Sequence, residues 1–143
     1  MPQPIVLDSS ILVKLVLAEP GSEKVRSRVE KALEEGCSLY AVDIALVEGL
    51  NAVWKHAKLY GALKDDEALS AARDLAEIYD VLNILTAREL LEEAIGLALK
   101  QGITVYDSLQ VAAARKLKAT LYTADQKLYD ASKNIVGSEL LAP

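Results

Sequence analysis

The sequence has few of the residues that build disulfide frameworks, zinc sites or membrane spans. Its 143 residues include one cysteine, Cys37, and one histidine, His56. A single cysteine cannot form an internal disulfide, and without a CxxC motif or a Cys/His pair a structural zinc site is excluded. We therefore expect Cys37 to be a half-buried strand thiol and His56 to be a surface residue.

Long apolar runs are also missing. No segment approaches the roughly 18 uncharged apolar residues that a membrane span needs. The N-terminus, MPQPIVLDSS, has no basic region and no room for a signal-peptide core before its first charged residue. We expect a cytoplasmic protein that does not associate with membranes.

Repeats, low-complexity segments and flexible linkers are absent as well. Residues 1–143 fit the size of one domain, and 52% hydrophobic with 26% charged residues is typical of globular proteins. The sequence therefore predicts a single domain. Its net charge of −5 argues against a protein that binds nucleic acid through a broad basic surface.

Short apolar or β-branched runs alternate with segments of helical periodicity. Four such runs are predicted strands: Ile5–Leu7, Cys37–Val42, Val81–Leu85 and Thr120–Thr123. Strands separated by helices form parallel sheets that helices cover on both faces. We therefore predict an α/β fold, a three-layer α/β/α sandwich with a central parallel sheet.

Local signals place the helices between these strands. Asp43 is expected to cap a helix that runs to about Lys58, and Thr86 with Glu89 has the spacing of a capping box. Two further segments have the charge spacing of amphipathic surface helices. These two segments are Ser22–Glu35 and Lys64–Asp80.

Four acidic residues lie outside the polar helix faces. Asp8 ends the first strand, and Asp125 follows the last predicted strand by two residues. Asp107 begins a largely apolar helix, and Glu48 lies inside the apolar stretch DIALVEGLNAVW. The carboxyl ends of parallel strands and the first turns of the following helices share one edge of a sheet, where open α/β folds bind ligands. We expect the four acids to meet there.

Each acid also has a purely structural interpretation. Asp8 and Asp107 could be helix caps, and Asp125 could belong to a turn. Glu48 is harder to explain in this way, because a carboxylate among apolar side chains loses solvation. Taken singly the structural interpretations are preferable, but four acids converging on one edge favour a shared acidic site.

A cluster of four carboxylates requires protonation or a cation. Two unit charges ~4 Å apart repel by ~4 kcal/mol at an effective dielectric constant of 20. Oxygen ligands without histidine or cysteine favour Mg²⁺ or Mn²⁺ over zinc, and these ions commonly meet substrate phosphates. The site thus indicates metal-assisted phosphoryl or phosphodiester hydrolysis. Two divalent cations would change the net charge from −5 to about −1, which removes the objection from overall charge.

Four motifs carry a resemblance to a known family: IVLDSSILVKL, ALVEGLNAVWK, TVYDSLQVAAARKL and LYTADQKL. In this order and spacing the chain resembles PIN-domain proteins, most closely the VapC-type toxins of prokaryotic toxin–antitoxin pairs. The resemblance spans almost the whole chain. It places the acidic quartet of the family on Asp8, Glu48, Asp107 and Asp125, and its small polar residue on Thr123.

The resemblance implies a five-stranded parallel sheet and a Mg²⁺- or Mn²⁺-dependent endoribonuclease that acts on RNA. It also implies a homodimer and inhibition by a small antitoxin protein. Ser9 and Asn51 are further polar neighbours of the expected site. A non-catalytic PIN-like interaction module and a nuclease acting on DNA remain alternatives. A haloacid-dehalogenase-like phosphatase is disfavoured, because Ser10 stands where that family needs a second aspartate.

Basic and apolar residues near the motifs suggest further contacts. Lys14, Arg115 and Lys127 are candidates for positioning substrate phosphates, although each could simply be a solvated charge. The segments Ile11–Leu17 and Ile44–Val53 carry more apolar residues than one buried helix face requires. Because excess apolar surface marks interfaces, we expect partner contacts there.

Overall fold

The computed structural model of the chain describes residues 2–141. A five-stranded parallel sheet forms its centre, with the strand order β3-β2-β1-β4-β5. The strands are β1 (Ile5–Leu7), β2 (Leu39–Val42), β3 (Asn83–Leu85), β4 (Thr120–Thr123) and β5 (Ser138–Leu140).

Helices connect successive strands, as parallel pairing requires. They are α1 (Ser9–Val16), α2 (Ser22–Glu34), α3 (Ile44–Lys58), α4 (Asp65–Val81), α5 (Ala87–Gln101), α6 (Val105–Leu117) and α7 (Gln126–Ser132). Within residues 2–141, none of them combines the length and the apolar character that crossing a bilayer demands.

The core is divided between the two faces of the sheet. On one face, Val6 and Leu121 pack against α5 and α6. On the other face, Ile5 and Leu7 pack against α1, α2, α3 and α4. Since side chains alternate across a strand and β1 is buried on both sides, this arrangement confirms the predicted three-layer α/β/α sandwich.

Each of the four predicted apolar runs contains a strand, but two of the predicted strands begin too early. Cys37 lies in the turn before β2 and is half-buried, and its amide donates to the carbonyl of Ala32. Val81 ends α4 and is 82% exposed, so β3 begins only at Asn83. Val81 belongs to the preceding helix, and Cys37 belongs to the connection that follows the preceding helix, so neither residue is part of a strand.

The fifth strand has no apolar pattern of its own. The residues of β5, Ser138–Leu140, are all half-buried, and the strand is held by pairing with β4. Glu139 also accepts from the Arg28 guanidinium of α2 at 2.8 and 3.2 Å. Tertiary pairing therefore makes this segment a strand, which only the family resemblance predicted.

One helix cap was predicted correctly and another was not. The Thr86 hydroxyl accepts from the Glu89 amide at 3.1 Å, as expected. Asp43 precedes α3 but its carboxylate makes no hydrogen bond to that helix. Instead it accepts from the Ala87 amide at 3.0 Å, in the first turn of α5. Asp43 thus joins the beginnings of two helices that lie far apart in sequence.

The apolar residues of α1 are internal, which corrects the expectation that Ile11–Leu17 forms a partner surface. Ile11 and Leu12 are fully buried, and Val13 and Leu17 are less than 10% exposed. The helix is surrounded by α2, α3 and α4. By contrast, α3 keeps exposed apolar side chains, as expected for Ile44–Val53, among them Val47 at 59%.

Candidate active site

Asp8 follows β1, the central strand, at the point where the strand order reverses. The chain continues from β1 to β2 on one side, while β4 lies on the other side. In open parallel sheets the crevice at such a switch point, beyond the carboxyl ends of the strands, binds ligands. Asp8 and Asp125 follow the two strands that border this crevice.

The Asp8 carboxylate is fixed by two hydroxyl groups. Asp8 is 6% exposed, and its Oδ2 accepts from Ser10 Oγ at 2.7 Å and from Thr123 Oγ1 at 2.8 Å. It makes no side-chain hydrogen bond to the amides of α1. Asp8 thus occupies the N-cap position of α1, but its side chain is turned to Ser10 and Thr123 and does not cap the helix.

Thr123 is the last residue of β4 and is completely buried. Besides donating to Asp8, its hydroxyl accepts from the Asp125 amide at 3.0 Å. The Ser10 hydroxyl likewise accepts from the Ala124 amide at 2.9 Å. These bonds hold the start of α1 and the end of β4 in one fixed arrangement.

Glu48 lies in the second turn of α3 and is half-buried. Its Oε1 is buried and has no hydrogen-bond partner within residues 2–141. Loss of solvation raises the pKa of this carboxyl to about 7, and the negative charges of Asp8, Asp107 and Asp125 add to the rise. The expectation that Glu48 is poorly solvated and close to the other acids is met.

Asp107 is in the first turn of α6, but it is not the helix cap. The cap is Thr104, whose hydroxyl accepts from the Asp107 amide at 3.2 Å. Asp107 Oδ2 is buried and finds no hydrogen-bond partner in the part of the chain that the structure describes. Burial raises the pKa of its carboxyl, the nearby Lys127 lowers it, and Asp125 and Asp8 raise it further.

Asp125 caps a helix and also acts electrostatically on two of the other acids. It is exposed and caps α7, because its Oδ1 accepts from the Lys127 amide at 2.9 Å. Its charge nevertheless contributes to the raised pKa values of Glu48 and Asp107.

The four carboxylates therefore share one electrostatic environment without being drawn together around a single point. Among residues 2–141, no three acidic, histidine or cysteine side chains are spaced to hold one metal ion. Two of the four acids nevertheless carry buried oxygens that no protein donor satisfies, Glu48 Oε1 and Asp107 Oδ2. Buried carboxylate oxygens are normally satisfied, so these two oxygens are suited to bind a proton or a cation.

The other polar candidates have different surroundings from those predicted. Ser10, and not Ser9, bonds to Asp8, although no sequence signal distinguishes the two serines. Asn51 is exposed and makes no side-chain hydrogen bond to the residues described. His56 is half-buried instead of lying free on the surface, and its Nε2 is 2.9 Å from Glu19 Oε2.

The three basic candidates also differ in position. Arg115 is in the last turn of α6, about 12 Å along the helix from Asp107, and its Nε pairs with Glu93 Oε1 at 2.6 Å. It is therefore not a neighbour of the acids. Lys127 is close enough to lower the pKa of Asp107, and Lys14 lines a cavity together with Asp125.

Comparisons with known proteins agree with this architecture. Residues 5–134 match the model of the PIN domain family. The chain is 37% identical over 124 residues to Ribonuclease VapC3 of Pyrobaculum aerophilum, a match that covers 87% of this chain and 91% of the relative.

Two solved structures show the same fold at low sequence identity. PAE2754 from Pyrobaculum aerophilum aligns with a TM-score of 0.68 at 22% identity, covering 96% of this chain and 90% of that one. A toxin–antitoxin complex from Klebsiella pneumoniae aligns with a TM-score of 0.65 at 17% identity, covering 96% and 98%. With a family match over most of its length and a close relative over nearly all of it, the chain belongs to the PIN domain family.

Proposed function

We propose that this protein is a metal-dependent endoribonuclease and the toxin of a toxin–antitoxin pair, with residues 1–143 acting as a single PIN-like domain in the cytoplasm. One observation carries the proposal: at the switch point of a parallel sheet the charges of Asp8, Asp107 and Asp125 act together on Glu48, and among residues 2–141 the buried oxygens Glu48 Oε1 and Asp107 Oδ2 have no hydrogen-bond partner. The name of the relative, Ribonuclease VapC3, supports RNA as the substrate.

The residues present suit a hard divalent cation. Asp8, Glu48, Asp107 and Asp125 offer carboxylate oxygens, the ligands that Mg²⁺ and Mn²⁺ prefer. Such ions supply charge neutralisation at a phosphodiester group and activation of water. A bound cation would also satisfy the two oxygens that the protein leaves without a donor.

The protein groups have distinct functions in this proposal. Asp8 is held by Ser10 and Thr123 at the end of a rigid strand, so its carboxylate keeps one orientation. Glu48, whose pKa is raised to about 7, binds a proton more readily than an ordinary carboxyl, and a bound cation would favour its charged form. Lys127, beside Asp107, would attract the phosphate backbone.

Cleavage of structured RNA by the purified protein tests the proposal. We expect cuts in single-stranded or loop segments with Mg²⁺ or Mn²⁺, because a flexible strand can bend into a narrow cleft. EDTA and the variant Asp107→Asn should each abolish the cuts. The matched control Asp66→Asn, an exposed acid at the start of α4, should cleave normally. Cleavage that survives EDTA or Asp107→Asn would contradict the proposal.

An apolar groove provides a site for the proposed antitoxin. A cavity of about 600 Å³ lies between α2 and α4, with Val29 and Leu33 on one side and Ile78 and Val81 on the other. Leu33 and Val81 are 58% and 82% exposed. An amphipathic antitoxin segment laid into this groove would cover them.

Co-expression with the neighbouring short open reading frame tests this contact. Val81→Asp should abolish co-purification of the antitoxin, because it places a charge in the groove. Leu69→Asp, at a 53% exposed apolar residue of α4 that does not line the groove, should leave co-purification intact. Equal effects of the two variants would rule out the groove.

The homodimer is proposed on two exposed apolar stripes. One stripe lies on α3 at Val47, Leu50 and Trp54, and the second lies on α5. The two helices begin side by side, because Asp43 before α3 accepts from the Ala87 amide of α5. Exposed apolar surface of this extent is characteristic of interfaces.

A further inference from the structure

A second cavity opens between α1 and α3, and of the four acids Asp125 lines it. Its volume is about 450 Å³, within the range of ligand sites. The polar groups that line it are Ser9, Ser10, Lys14, Glu19, Lys55, His56 and Asp125. We call the part next to Asp125 the acidic end, and the part formed by Lys14, Glu19, Lys55 and His56 the basic end.

The acidic end is continuous with the proposed catalytic site. Asp125 lines the cavity, and Ser10 in its wall donates a hydrogen bond to Asp8 Oδ2 at 2.7 Å. A nucleic-acid strand with one phosphate at the acids would therefore place a neighbouring part of its backbone in this cavity.

At the basic end, one carboxylate is shared by two cationic or ionisable groups. Glu19 Oε1 is 3.4 Å from Lys14 Nζ, and Glu19 Oε2 is 2.9 Å from His56 Nε2. The Lys14 ammonium also donates to the carbonyl of Pro20 at 3.1 Å. Glu19 and Lys14 are each 17% exposed, so this arrangement is part of the cavity wall and not a mobile surface pair.

Two donors in the cavity remain unused. The Lys55 ammonium and the Ser9 hydroxyl make no hydrogen bond or ion pair with residues 2–141. With Lys14 and Lys55 positive and Glu19 negative, the basic end carries a formal charge of +1 with His56 neutral, and Asp125 at the acidic end brings the whole lining to zero. An unpaired ammonium, a free hydroxyl and a net positive charge are what a phosphate oxygen requires.

We propose that this cavity binds a backbone phosphate of the RNA strand next to the phosphate that is cleaved. Lys55 is the principal phosphate ligand, Ser9 is a second donor, and Glu19 limits the positive charge by neutralising Lys14. This subsite rests on the proposed endoribonuclease function and extends it by naming how the strand is held. A strand, and not a free nucleotide, is favoured because the cavity and the acids form one continuous site.

The variant Lys55→Ala tests the phosphate contact against Lys58→Ala, a matched control on the same helix. Lys58 is paired with Asp65 at 2.7 Å and does not line the cavity. We expect Lys55→Ala to raise KM about tenfold with kcat within twofold of the parent. It should also reduce the slope of log K against log salt for RNA binding by about 0.7, the value for one phosphate contact on a single strand. Lys58→Ala should change neither quantity.

The variant Glu19→Gln should act in the opposite direction. Removing the only carboxylate at the basic end leaves Lys14 unneutralised, so RNA binding should tighten and KM should fall. An RNA with a neutral methylphosphonate beside the cleaved phosphate should bind the parent more weakly. With this RNA, Lys55→Ala should have almost the same affinity as the parent, as in a double-mutant cycle. Equal KM values for Lys55→Ala and Lys58→Ala would overturn the subsite. It would also be overturned if the effects of Lys55→Ala and of the methylphosphonate added up whichever side of the cleaved phosphate carried the methylphosphonate.

The two proposals fail in different ways. Binding is measured in Mg²⁺ with a labelled RNA whose linkages resist hydrolysis, so it does not depend on cleavage. Parent protein that binds RNA with the Lys55 dependence but does not cut it would refute the nuclease and retain the subsite. Parent protein that cuts RNA while Lys55→Ala behaves like Lys58→Ala would retain the nuclease and refute the subsite. Absence of both binding and cleavage would refute both.

Discussion

At the scale of single residues, Glu48 distinguishes a functional acid from a structural one. Its charge is destabilising in the metal-free protein, since loss of solvation and three neighbouring acids raise its pKa to about 7. Glu48→Gln keeps the shape and removes the charge. We expect the metal-free variant to melt about 3 °C higher at pH 8, which corresponds to ~1 kcal/mol after solvent screening. Its stabilisation by Mn²⁺ and its RNA cleavage should fall together.

The pH dependence provides the control for this prediction. A carboxyl whose pKa is higher in the folded than in the unfolded chain binds its proton more tightly when folded, so stability falls as pH rises from about 4.5 to 7. Glu48→Gln should therefore flatten this fall and have little effect at pH 4. Glu92→Gln, an exposed acid on α5, should reproduce the parent curve. Lower stability of metal-free Glu48→Gln with normal cleavage would show that Glu48 is structural.

Thr123 offers a second test at this scale, because its hydroxyl serves two partners. It donates to Asp8 and accepts from the Asp125 amide, and the residue is fully buried. Thr123→Val keeps the shape, leaves the Asp125 amide without its acceptor and leaves Asp8 with Ser10 as its one remaining hydroxyl donor. This loss should cost about 1–3 kcal/mol in the free energy of unfolding.

Cleavage by Thr123→Val should fall about 10- to 100-fold, as expected when the support of a metal ligand is lost. Thr123→Ser retains the hydroxyl and should keep most of the free energy of unfolding and most of the cleavage activity. Urea unfolding and RNA cleavage measured on the two variants make the comparison. If Thr123→Val cleaved RNA as well as Thr123→Ser, the hydroxyl would have no function in orienting Asp8.

The sequence located the acids but not the groups that orient them. Asp8 and Asp125 were predictable because each follows a strand in a fold whose strand ends share one edge. Ser10 was not distinguishable from Ser9, because the choice depends on how α1 leaves the sheet. Likewise, Glu19 meets His56 across 37 positions of sequence, a contact that no local pattern encodes.

At the scale of helices, replacing glycine by alanine should have opposite effects on stability at two positions. Gly49 of α3 packs on α4, and an added Cβ would lie 2.8 Å from Leu75 Cδ2 and 3.4 Å from Cδ1. Leu75 is completely buried and has little room to move. Gly96 of α5 has no such neighbour within 4 Å.

Gly49→Ala should therefore destabilise the protein by about 1–2 kcal/mol, because overpacking outweighs the gain in helix propensity. Gly96→Ala should stabilise it by about 0.5–1 kcal/mol, because only the gain in propensity remains. Thermal unfolding of both variants checks the signs. A stabilised Gly49→Ala would mean that α3 and α4 separate easily.

Elements with their own apolar periodicity were predictable, and those held by tertiary contacts were not. The pattern located β1 and β4 to the residue, since both strands are buried almost throughout. It could not detect β5, which is stabilised by its pairing with β4 and by the Arg28–Glu139 ion pair. Asp43 precedes α3 as predicted, but the partner of its carboxylate could not be predicted, because Ala87 lies 44 residues away.

At the scale of the whole molecule, the fold concentrates negative charge in one place. The net charge is −5, and four acids lie around the switch point between β1 and β4. Rigid strands and helix starts fix these acids, so their repulsion cannot be relieved by moving apart. A divalent cation bound to these acids would therefore stabilise the folded protein. Millimolar Mn²⁺ should raise the melting temperature by mass action.

The assembly of the molecule leads to the last prediction. Leu91, Ile95 and Leu99 form a stripe along α5 at a spacing of four residues and are 52%, 44% and 79% exposed. Like the apolar stripe of α3, they expose a row of large apolar side chains, which is typical of an interface. We expect light scattering at micromolar concentration to give about 31 kDa, twice the chain mass of 15.5 kDa.

The variant Ile95→Glu should shift this mass to that of one chain without unfolding it, because the side chain lies on the surface of the monomer. The control Leu69→Glu, at an exposed apolar residue of α4, should remain a dimer. Circular dichroism of both variants verifies that the fold is intact. A parent protein that is strictly monomeric would remove the dimer from the proposal. A dimer that tolerates Ile95→Glu would exclude α5 from the interface and leave α3 as its remaining apolar face.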